Sequence, residues 1–277
     1  MTPETAGIVG IVLLIVLFLL RVPVAFAMMM VGLAGFAYLG GVDSSLALLA
    51  QDIFETLSSY PLSVIPMFIL MGSFAFASGI SKRLYITSYS WAGQYRGGLT
   101  VATVLACSGF AAICGSTAAT AATMGKIALP EMKKYGYDDV LATGTVASAG
   151  TLGILIPPST VLIVYGILTE ESIGKLFVAG ILPAILVTIL FIISIFILCR
   201  LNPSQGPRGE KFDWKYKLKS LTGLIDTLAV FGLVMGGLFF GFFTPTEAAG
   251  VGAFGVLLVS LLRRQITWQG LVKSLYE

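Results

Sequence analysis

Long apolar stretches without a charged residue alternate with short polar segments along this sequence. The first two stretches cover residues 6–20 and 22–39, and a third begins after Pro61 and Pro66 and ends near Ser81. A helix needs about 20 residues to cross the hydrocarbon core of a bilayer. The pattern therefore predicts an all-α polytopic membrane protein rather than a water-soluble domain.

The carboxyl-terminal part of the chain continues this pattern. We expect further membrane helices over 176–199, 228–243 and 244–262. The last of these begins Thr-Pro-Thr-Glu, which is typical of a capping box: Thr244 takes the N-cap position and Glu247 follows three residues later. This role explains an acidic residue at the edge of an apolar stretch, and we predict structural roles for Glu131 and Asp226 too.

Four polar or amphipathic segments lie between these stretches and after them. Residues 44–57 form an amphipathic segment that we place at the membrane interface, and 265–277 form another. Residues 82–98 mix basic and aromatic side chains, a combination that favours the headgroup layer and predicts a helix lying along the membrane. Residues 200–219 predict a polar, basic loop.

Residues 98–125 are uncharged but interrupted near Gly115-Ser116-Thr117. Basic residues flank both ends, and basic residues mark the cytoplasmic side of membrane proteins. Both ends therefore lie on one side, and we predict a re-entrant hairpin over 99–134 with its tip at mid-membrane.

A second interruption divides the uncharged stretch 140–169. It contains the sequence from Gly150 to Ser159, with two adjacent prolines, Pro157 and Pro158. Proline removes a backbone donor and glycine permits non-helical angles. We predict a helix over 139–169 that is broken inside the membrane.

Charge sets the predicted orientation. The residues before 6 lack the basic region of a signal peptide, so we expect 6–20 to be retained. An outside (periplasmic) amino terminus puts every lysine and arginine except Lys175 on the cytoplasmic side, together with loop 200–219.

Composition narrows the possible functions. Hydrophobic residues make up 57% of the chain and charged residues 11%, and there is no histidine. The missing histidine excludes Ser-His and Cys-His catalysis and the HExxH zinc site, so we predict no enzyme and no resident cofactor. The cysteines, without CxxC spacing, suit apolar packing. The basic residues form no stripe for nucleic acid.

Non-helical backbone at membrane depth needs protein or a water-filled cavity around it. The two interruptions therefore suggest one cavity that both line. Half-helix amino termini favour anions, whereas unwound carbonyls and helix carboxyl ends suit sodium. Hydroxyls at the first interruption (Ser116, Thr117, Thr120) and the second (Thr151, Ser159) would add oxygen ligands. The alternative is a plain loop and a kinked helix without a ligand.

Four motifs, in order, resemble the large membrane subunit of TRAP (tripartite ATP-independent periplasmic) transporters. They are Arg21–Ala27 (RVPVAFA), Gly115–Ala122 (GSTAATAA), Gly150–Ser159 (GTLGILIPPS) and Thr244–Ala249 (TPTEAA). The resemblance covers the whole chain. It implies a sodium-coupled importer of organic acids, such as C4-dicarboxylates or sugar acids, in the bacterial inner membrane. No Walker A motif for ATP is present.

The resemblance also implies partners, an elevator-type fold and a site. The partners are a small four-helix membrane subunit and a periplasmic substrate-binding protein. Scaffold helices would occupy 1–81 and 176–277, an interfacial arm helix 82–98, and half of a moving transport domain 99–175. The implied sodium site comprises Gly115, Ser116, Thr117, Gly150, Thr151 and Gly153. The implied substrate contacts are Ser116, Thr117, Thr120, Pro157, Pro158 and Ser159.

Members of this family continue into an inverted second half with its own hairpin and broken helix. The segment 267–276 mirrors the position of 44–57, as the start of an inverted repeat would. We therefore expect the remaining half of the site to come from residues beyond 277 or from another chain. A sodium–carboxylate symporter that works without a binding protein and a non-transporting membrane scaffold are the alternative functions.

Overall fold

A computed structural model describes residues 2–276, which form fourteen α-helices joined by short connections. The α-helices are α1 (Pro3–Leu19), α2 (Val24–Gly40), α3 (Val42–Ser58), α4 (Val64–Ala77), α5 (Ile80–Ala92), α6 (Gly98–Cys114), α7 (Thr117–Lys134), α8 (Asp139–Gly150), α9 (Thr160–Leu168), α10 (Ile173–Leu201), α11 (Trp214–Ser220), α12 (Ile225–Phe239), α13 (Pro245–Leu262) and α14 (Trp268–Tyr276). Short 3-10 turns occupy Tyr60–Ser63, Thr151–Ile154 and Leu221–Leu224.

Several of these helices suit a bilayer. Within residues 2–276, four helical segments are long and apolar enough to cross one: Tyr60–Ala77, Ile173–Leu201, Trp214–Phe239 and Pro245–Leu262. Helices α1, α2 and α6 are apolar but shorter. The all-α prediction is confirmed for this part of the chain, and the apolar helices fit a multi-pass membrane protein.

The chain divides into two compact units at residue 59. In the first, α1 packs on α2 and α2 on α3. Ser45 of α3 donates a hydrogen bond to the Leu33 carbonyl of α2 at 3.0 Å. Among the described residues of this unit only Ala27 and Ser45 are buried. Its helices therefore expose apolar side chains in nearly every direction, as helices surrounded by lipid or by another membrane protein do.

The second unit contains an extended core. Helix α4 packs along α13, α5 along α6, α7 along α8, and α12 along α13. Phe68 and Met71 of α4 are fully buried. A Cβ on Gly252 of α13 would lie 2.5 Å from the Met71 sulfur and 2.7 Å from a Val234 methyl. A larger side chain at 252 would therefore displace Met71 or Val234 where α4, α12 and α13 meet.

The segment predicted as a polar loop, 200–219, is folded against its neighbours. Residues 214–220 form α11, and the backbone before them pairs with the corner between α5 and α6. The Gly97 amide donates to the Gly206 carbonyl at 2.9 Å, and the Gly209 amide donates to the Gly93 carbonyl at 2.8 Å. The polarity of the sequence predicted a loop here but gave no sign of this pairing, which forms between backbone groups. The position of the segment outside the membrane stays a prediction.

Helix α5 is bonded along its length to the segment that contains α11. Thr87 donates to the Ser220 carbonyl at 2.7 Å, and the Trp91 indole donates to the Lys217 carbonyl at 3.3 Å. One face of α5 is buried. The helix predicted over 82–98 is present over 80–92, and its position at the membrane surface stays a prediction.

Asp226 and Glu247 both have the structural roles that were predicted for them from the sequence. The Asp226 carboxylate is 3% exposed and lies 3.1 Å from an Arg83 guanidinium nitrogen and 2.9 Å from one of Arg263. The capping box of α13 is confirmed: the Glu247 amide donates to the Thr244 hydroxyl at 3.3 Å, and the Thr244 amide donates to the Glu247 carboxylate at 2.8 Å.

Candidate functional site

The chain reverses between α6 and α7 within two residues. Gly115 follows the last residue of α6 with a left-handed backbone (φ 62°), which glycine adopts without steric cost. Ser116 then turns extended, and its hydroxyl accepts a hydrogen bond from the Ala119 amide at 3.4 Å. This is the N-cap arrangement that satisfies a free donor of the first helical turn. We call Gly115, Ser116 and Thr117 the hairpin tip.

The second interruption is longer and ends in the same way. Helix α8 stops at Gly150, a 3-10 turn follows to Ile154, and α9 starts at Thr160. The Ser159 hydroxyl accepts from the Leu162 amide at 3.4 Å and donates to the Ile154 carbonyl at 2.7 Å. Ser159 therefore caps α9 and also fixes the stretch that precedes it. We call residues 151–159 the break.

The hairpin tip and the break touch each other. The Thr160 amide and hydroxyl both donate to the Gly115 carbonyl, at 3.2 and 3.0 Å. A Cβ on Gly115 would lie 2.5 Å from the Pro158 carbonyl oxygen. A Cβ on Gly153 would lie 2.6 Å from the Ser116 carbonyl oxygen. No side chain larger than hydrogen fits at either position.

Four helix ends meet at this contact. Helices α6 and α8 end there, and α7 and α9 begin there. Carbonyl ends carry partial negative charge and amide ends partial positive charge. The contact therefore offers oxygen ligands to a cation and amide donors to an anion within one small region.

Two buried hydroxyls at the start of α7 have unsatisfied hydrogen-bonding capacity. The Thr117 and Thr120 hydroxyl oxygens are shielded from solvent and make no hydrogen bond within residues 2–276. The Cys114 thiol, a weak partner, lies beside Thr120. Buried hydroxyls are normally paired because desolvation is unfavourable. A bound cation is one way to satisfy these two oxygens.

The structure brings most of the predicted site residues together. Gly115, Ser116, Thr117, Gly153, Pro158 and Ser159 lie at the contact between hairpin tip and break. Thr120 lies one turn into α7, and a Cβ on Gly150 would meet Ala121 of that helix at 2.7 Å. Thr151 lies apart: it is exposed, and its hydroxyl donates to the Ser148 carbonyl at 2.6 Å. Pro157 is buried, with its ring beside Gly180 of α10.

A cavity of about 400 Å³ lies beside the hairpin tip, between α4, α6 and α7. Its α7 wall carries Ser116, Ala119, Thr123 and Lys126, residues that share one helix face. The Lys126 ammonium group lies 5.6 Å from the centroid of the Phe76 ring of α4. This wall was not predicted from the sequence. The three- and four-residue spacing of Ser116, Ala119, Thr123 and Lys126 is the signal that would have identified it.

Known proteins with similar sequences are transporter permeases. Residues 11–277 match the family model described as Tripartite ATP-independent periplasmic transporter, DctM component. The C4-dicarboxylate TRAP transporter large permease protein DctM of Pseudomonas aeruginosa is 42% identical over 215 residues, which is 77% of this chain and 49% of the relative. The protein of the same name from Vibrio cholerae is 38% identical over 244 residues, which is 87% of this chain and 53% of the relative.

A relative named for a different substrate matches over a longer stretch. The sialic acid TRAP transporter large permease protein SiaM of Vibrio cholerae is 30% identical over 260 residues, 92% of this chain and 59% of its own length. The chain thus spans about half the length of the curated relatives that it matches. The resemblance seen in the four sequence motifs is confirmed by these matches: the chain belongs to the DctM family of tripartite ATP-independent periplasmic transporters.

Proposed function

We propose that this chain forms part of the large permease of a TRAP transporter and couples inward sodium movement to the import of an organic acid. The observation that carries the proposal is the contact between the hairpin tip and the break, with its unsatisfied Thr117 and Thr120 hydroxyls. Sequence relatives named as C4-dicarboxylate and sialic acid permeases support an organic acid as the substrate.

The proposed sodium ligands are oxygens at this contact. Sodium is a hard cation, and unwound carbonyls and helix carboxyl ends coordinate it in transporters with broken helices. Backbone carbonyls at Ser116, Gly150 and Gly153, with hydroxyls of Ser116 and Thr117, would supply the ligands. Gly115, whose carbonyl already accepts both hydrogen bonds from Thr160, would contribute by shaping the tip around the ion. The exposed Thr151 hydroxyl is engaged with Ser148, so Thr151 would contribute through its backbone.

The proposed substrate region is the cavity beside the hairpin tip together with the amide end of α9. The substrate contacts inferred from the family resemblance, Ser116, Thr117, Thr120, Pro157, Pro158 and Ser159, surround the contact between hairpin tip and break. Lys126 adds a positive charge to the cavity wall, and a lysine at such a wall attracts carboxylates. An organic anion would thus lie close to the sodium ion, and each would favour binding of the other.

The proposed mechanism is of the elevator type, in which α6–α9 move as a unit against the remaining helices. The proposed partners are a small four-helix membrane subunit and a periplasmic substrate-binding protein. The largely unburied helices α1–α3 support a lipid or membrane-subunit environment. The proposed orientation has the amino terminus in the periplasm and segment 200–219 in the cytoplasm of a bacterium, with the protein in the inner membrane.

Sodium-dependent uptake tests this function. The double variant Ser116→Ala with Thr117→Ala, made in the complete transporter, should raise the sodium concentration for half-maximal uptake by about tenfold or more, equivalent to at least about 1.4 kcal/mol. The matched control is Ser108→Ala with Thr188→Ala, a hydroxyl pair at 3.4 Å between α6 and α10, away from the tip. The control should keep wild-type sodium dependence.

An unchanged sodium dependence in the first variant, at normal protein levels, contradicts the assigned site. Uptake that persists without a periplasmic binding protein would favour the symporter alternative. Absence of any uptake with all partners present would favour the scaffold alternative.

A further inference from the structure

The corner between α5 and α6 holds two arginines opposite each other. Arg96 and Arg208 form an isolated antiparallel bridge, flanked by the backbone hydrogen bonds of Gly97 to Gly206 and of Gly209 to Gly93. Side chains of directly opposed residues in such a pair point to the same side. The backbone pairing therefore starts both arginine side chains from adjacent positions, and both line one cavity.

Close packing of glycines maintains this bridge. A Cβ on Gly97 or on Gly206 would lie 2.6 Å from the Cys199 sulfur of α10. Gly97 also has a left-handed backbone, with φ 71°. The two segments can approach each other and α10 only because both positions lack a side chain. Buried packing thus determines the backbone positions from which the two arginine side chains extend.

A third arginine joins the pair, and the described chain provides no acid for any of them. Arg200, in the last turn of α10, lines one cavity with Arg96 and Arg208. Residues 2–276 contain two ion pairs, both made by Asp226. Glu210, the acid nearest to Arg208 in sequence, accepts a hydrogen bond from the Tyr135 hydroxyl at 2.8 Å. Like charges held opposite each other are destabilising, so this arrangement favours a bound anion.

Apolar and aromatic surface adjoins the three arginines. The cavity has a volume of about 420 Å³, and its remaining walls are Tyr95 and Phe196, whose rings lie edge to face with centroids 6.4 Å apart. On α10, exposed apolar side chains continue away from Arg200 towards the membrane-spanning part of the helix: Ile197, Ile193, Leu190 and Leu186. A ligand with an anionic head and a hydrocarbon tail matches both surfaces.

We propose that this cavity binds the phosphate of an anionic phospholipid. The guanidinium groups of Arg96, Arg200 and Arg208 would bind the phosphate oxygens, since guanidinium forms paired, charge-assisted hydrogen bonds with phosphate. Tyr95 and Phe196 would lie at the level of the glycerol backbone, where aromatic side chains accumulate. The acyl chains would follow the exposed face of α10. Basic pockets between membrane helices bind lipid headgroups in this manner.

Lipid binding to the intact protein, with whatever further chain it natively carries, tests this site. Native mass spectrometry in detergent would measure the apparent affinity for dioleoyl phosphatidylglycerol, for dioleoyl phosphatidylcholine and for inorganic phosphate. The variant Arg96→Gln with Arg208→Gln should bind phosphatidylglycerol about 25-fold more weakly, because each arginine contributes a factor of about five. The control variant, Lys215→Gln with Lys219→Gln, removes two exposed lysines of the same segment that lie outside the cavity.

The control should bind phosphatidylglycerol within about twofold of the wild type, because detergent removes the surface potential of a bilayer. Equal losses in both variants would overturn the site, since general electrostatics would then explain binding. Phosphatidylcholine or inorganic phosphate binding as tightly as phosphatidylglycerol would overturn the assignment to an anionic lipid.

A second measurement guards against misfolding of the arginine variant. Phosphatidylglycerol should raise the thermal midpoint of the wild type and of the lysine control, and should leave that of the arginine variant unchanged. A variant with a wild-type midpoint in the absence of lipid and the full lipid-induced rise would contradict the proposal.

Discussion

The hairpin tip and the break both start a helix with a serine cap, but the chain reaches that cap by a different route in each. Ser116 and Ser159 have nearly the same backbone angles, with φ −134° and ψ 127° in the first and φ −122° and ψ 125° in the second, and each caps the helix that follows. The tip reaches this cap directly from a left-handed Gly115, so the chain reverses. The break reaches it through a 3-10 turn and two prolines. Nearly identical helix starts can therefore follow either a reversal of the chain or a break within a helix.

The two regions also differ in how they use hydrogen bonds. Ser159 is fully buried and bonds both to its helix and to Ile154, whereas Ser116 is half-buried and makes only the cap. The break is thus fixed by its own contacts. The tip is fixed largely by what it touches, because the Gly115 carbonyl accepts two hydrogen bonds from Thr160. We expect changes at the contact to affect the tip more than the break.

The largest effect should come from Gly115→Ala. The new methyl group would combine left-handed strain with a clash against the Pro158 carbonyl, and we expect a loss of about 3–5 kcal/mol of stability. Gly136→Ala is the matched control, because Gly136 is also left-handed (φ 72°) but has open space around it. It should lose about 1 kcal/mol. Chemical unfolding in detergent would measure both, and equal losses would show that the tip does not depend on close contact.

Gly153→Ala should have the next largest effect. Here the backbone angle is not left-handed, so the expected loss of about 2–3 kcal/mol comes from displacing the Ser116 backbone alone. Gly144→Ala, in α8 with nothing near its Cβ, should be neutral or stabilising by about 0.5–1 kcal/mol. A neutral Gly153→Ala in the same unfolding assay would mean that the tip and the break can separate freely.

Removing each serine cap in turn should have a smaller effect on stability and extends the comparison of the two regions. Ser116→Ala should cost about 1 kcal/mol as the loss of one cap. Ser159→Ala should cost about 1 kcal/mol more, because it also removes a buried hydrogen bond to Ile154. Thermal midpoints of the two variants would show which loses more stability. A larger loss for Ser116→Ala would contradict the conclusion that the break is the region fixed by its own contacts.

The smallest effect on stability should come from Thr120→Val. The Thr120 hydroxyl makes no hydrogen bond in the described chain, so its removal should change stability by about 0.5 kcal/mol or less. Thr103→Val removes a buried hydroxyl that donates to the Leu99 carbonyl at 2.8 Å, and it should cost about 1 kcal/mol. A loss of sodium affinity in Thr120→Val without a loss of stability would support cation binding there. A large loss of stability would indicate a packing role.

The sequence predicted the position of both interruptions because glycine, proline and serine restrict the backbone locally. It also predicted the α13 cap, since Thr244 and Glu247 interact within one turn. The contacts between segments were not predictable in this way. Helix packing determines three features of the site: the fit of Gly153 against the Ser116 backbone, the exposure of Thr151 and the cavity beside Lys126. The pairing of 206–209 with 93–97 uses backbone groups, which every residue carries.

The bonds of α5 to residues 217–226 determine how force passes through the second unit. Arg83, Thr87 and Trp91 attach α5 at successive turns, and Asp226 extends the attachment to Arg263 at the end of α13. A helix held at several points along its length acts as a rigid strut. A force that α6 exerts on α5 would therefore reach the ends of α12 and α13 instead of being absorbed by bending within α5.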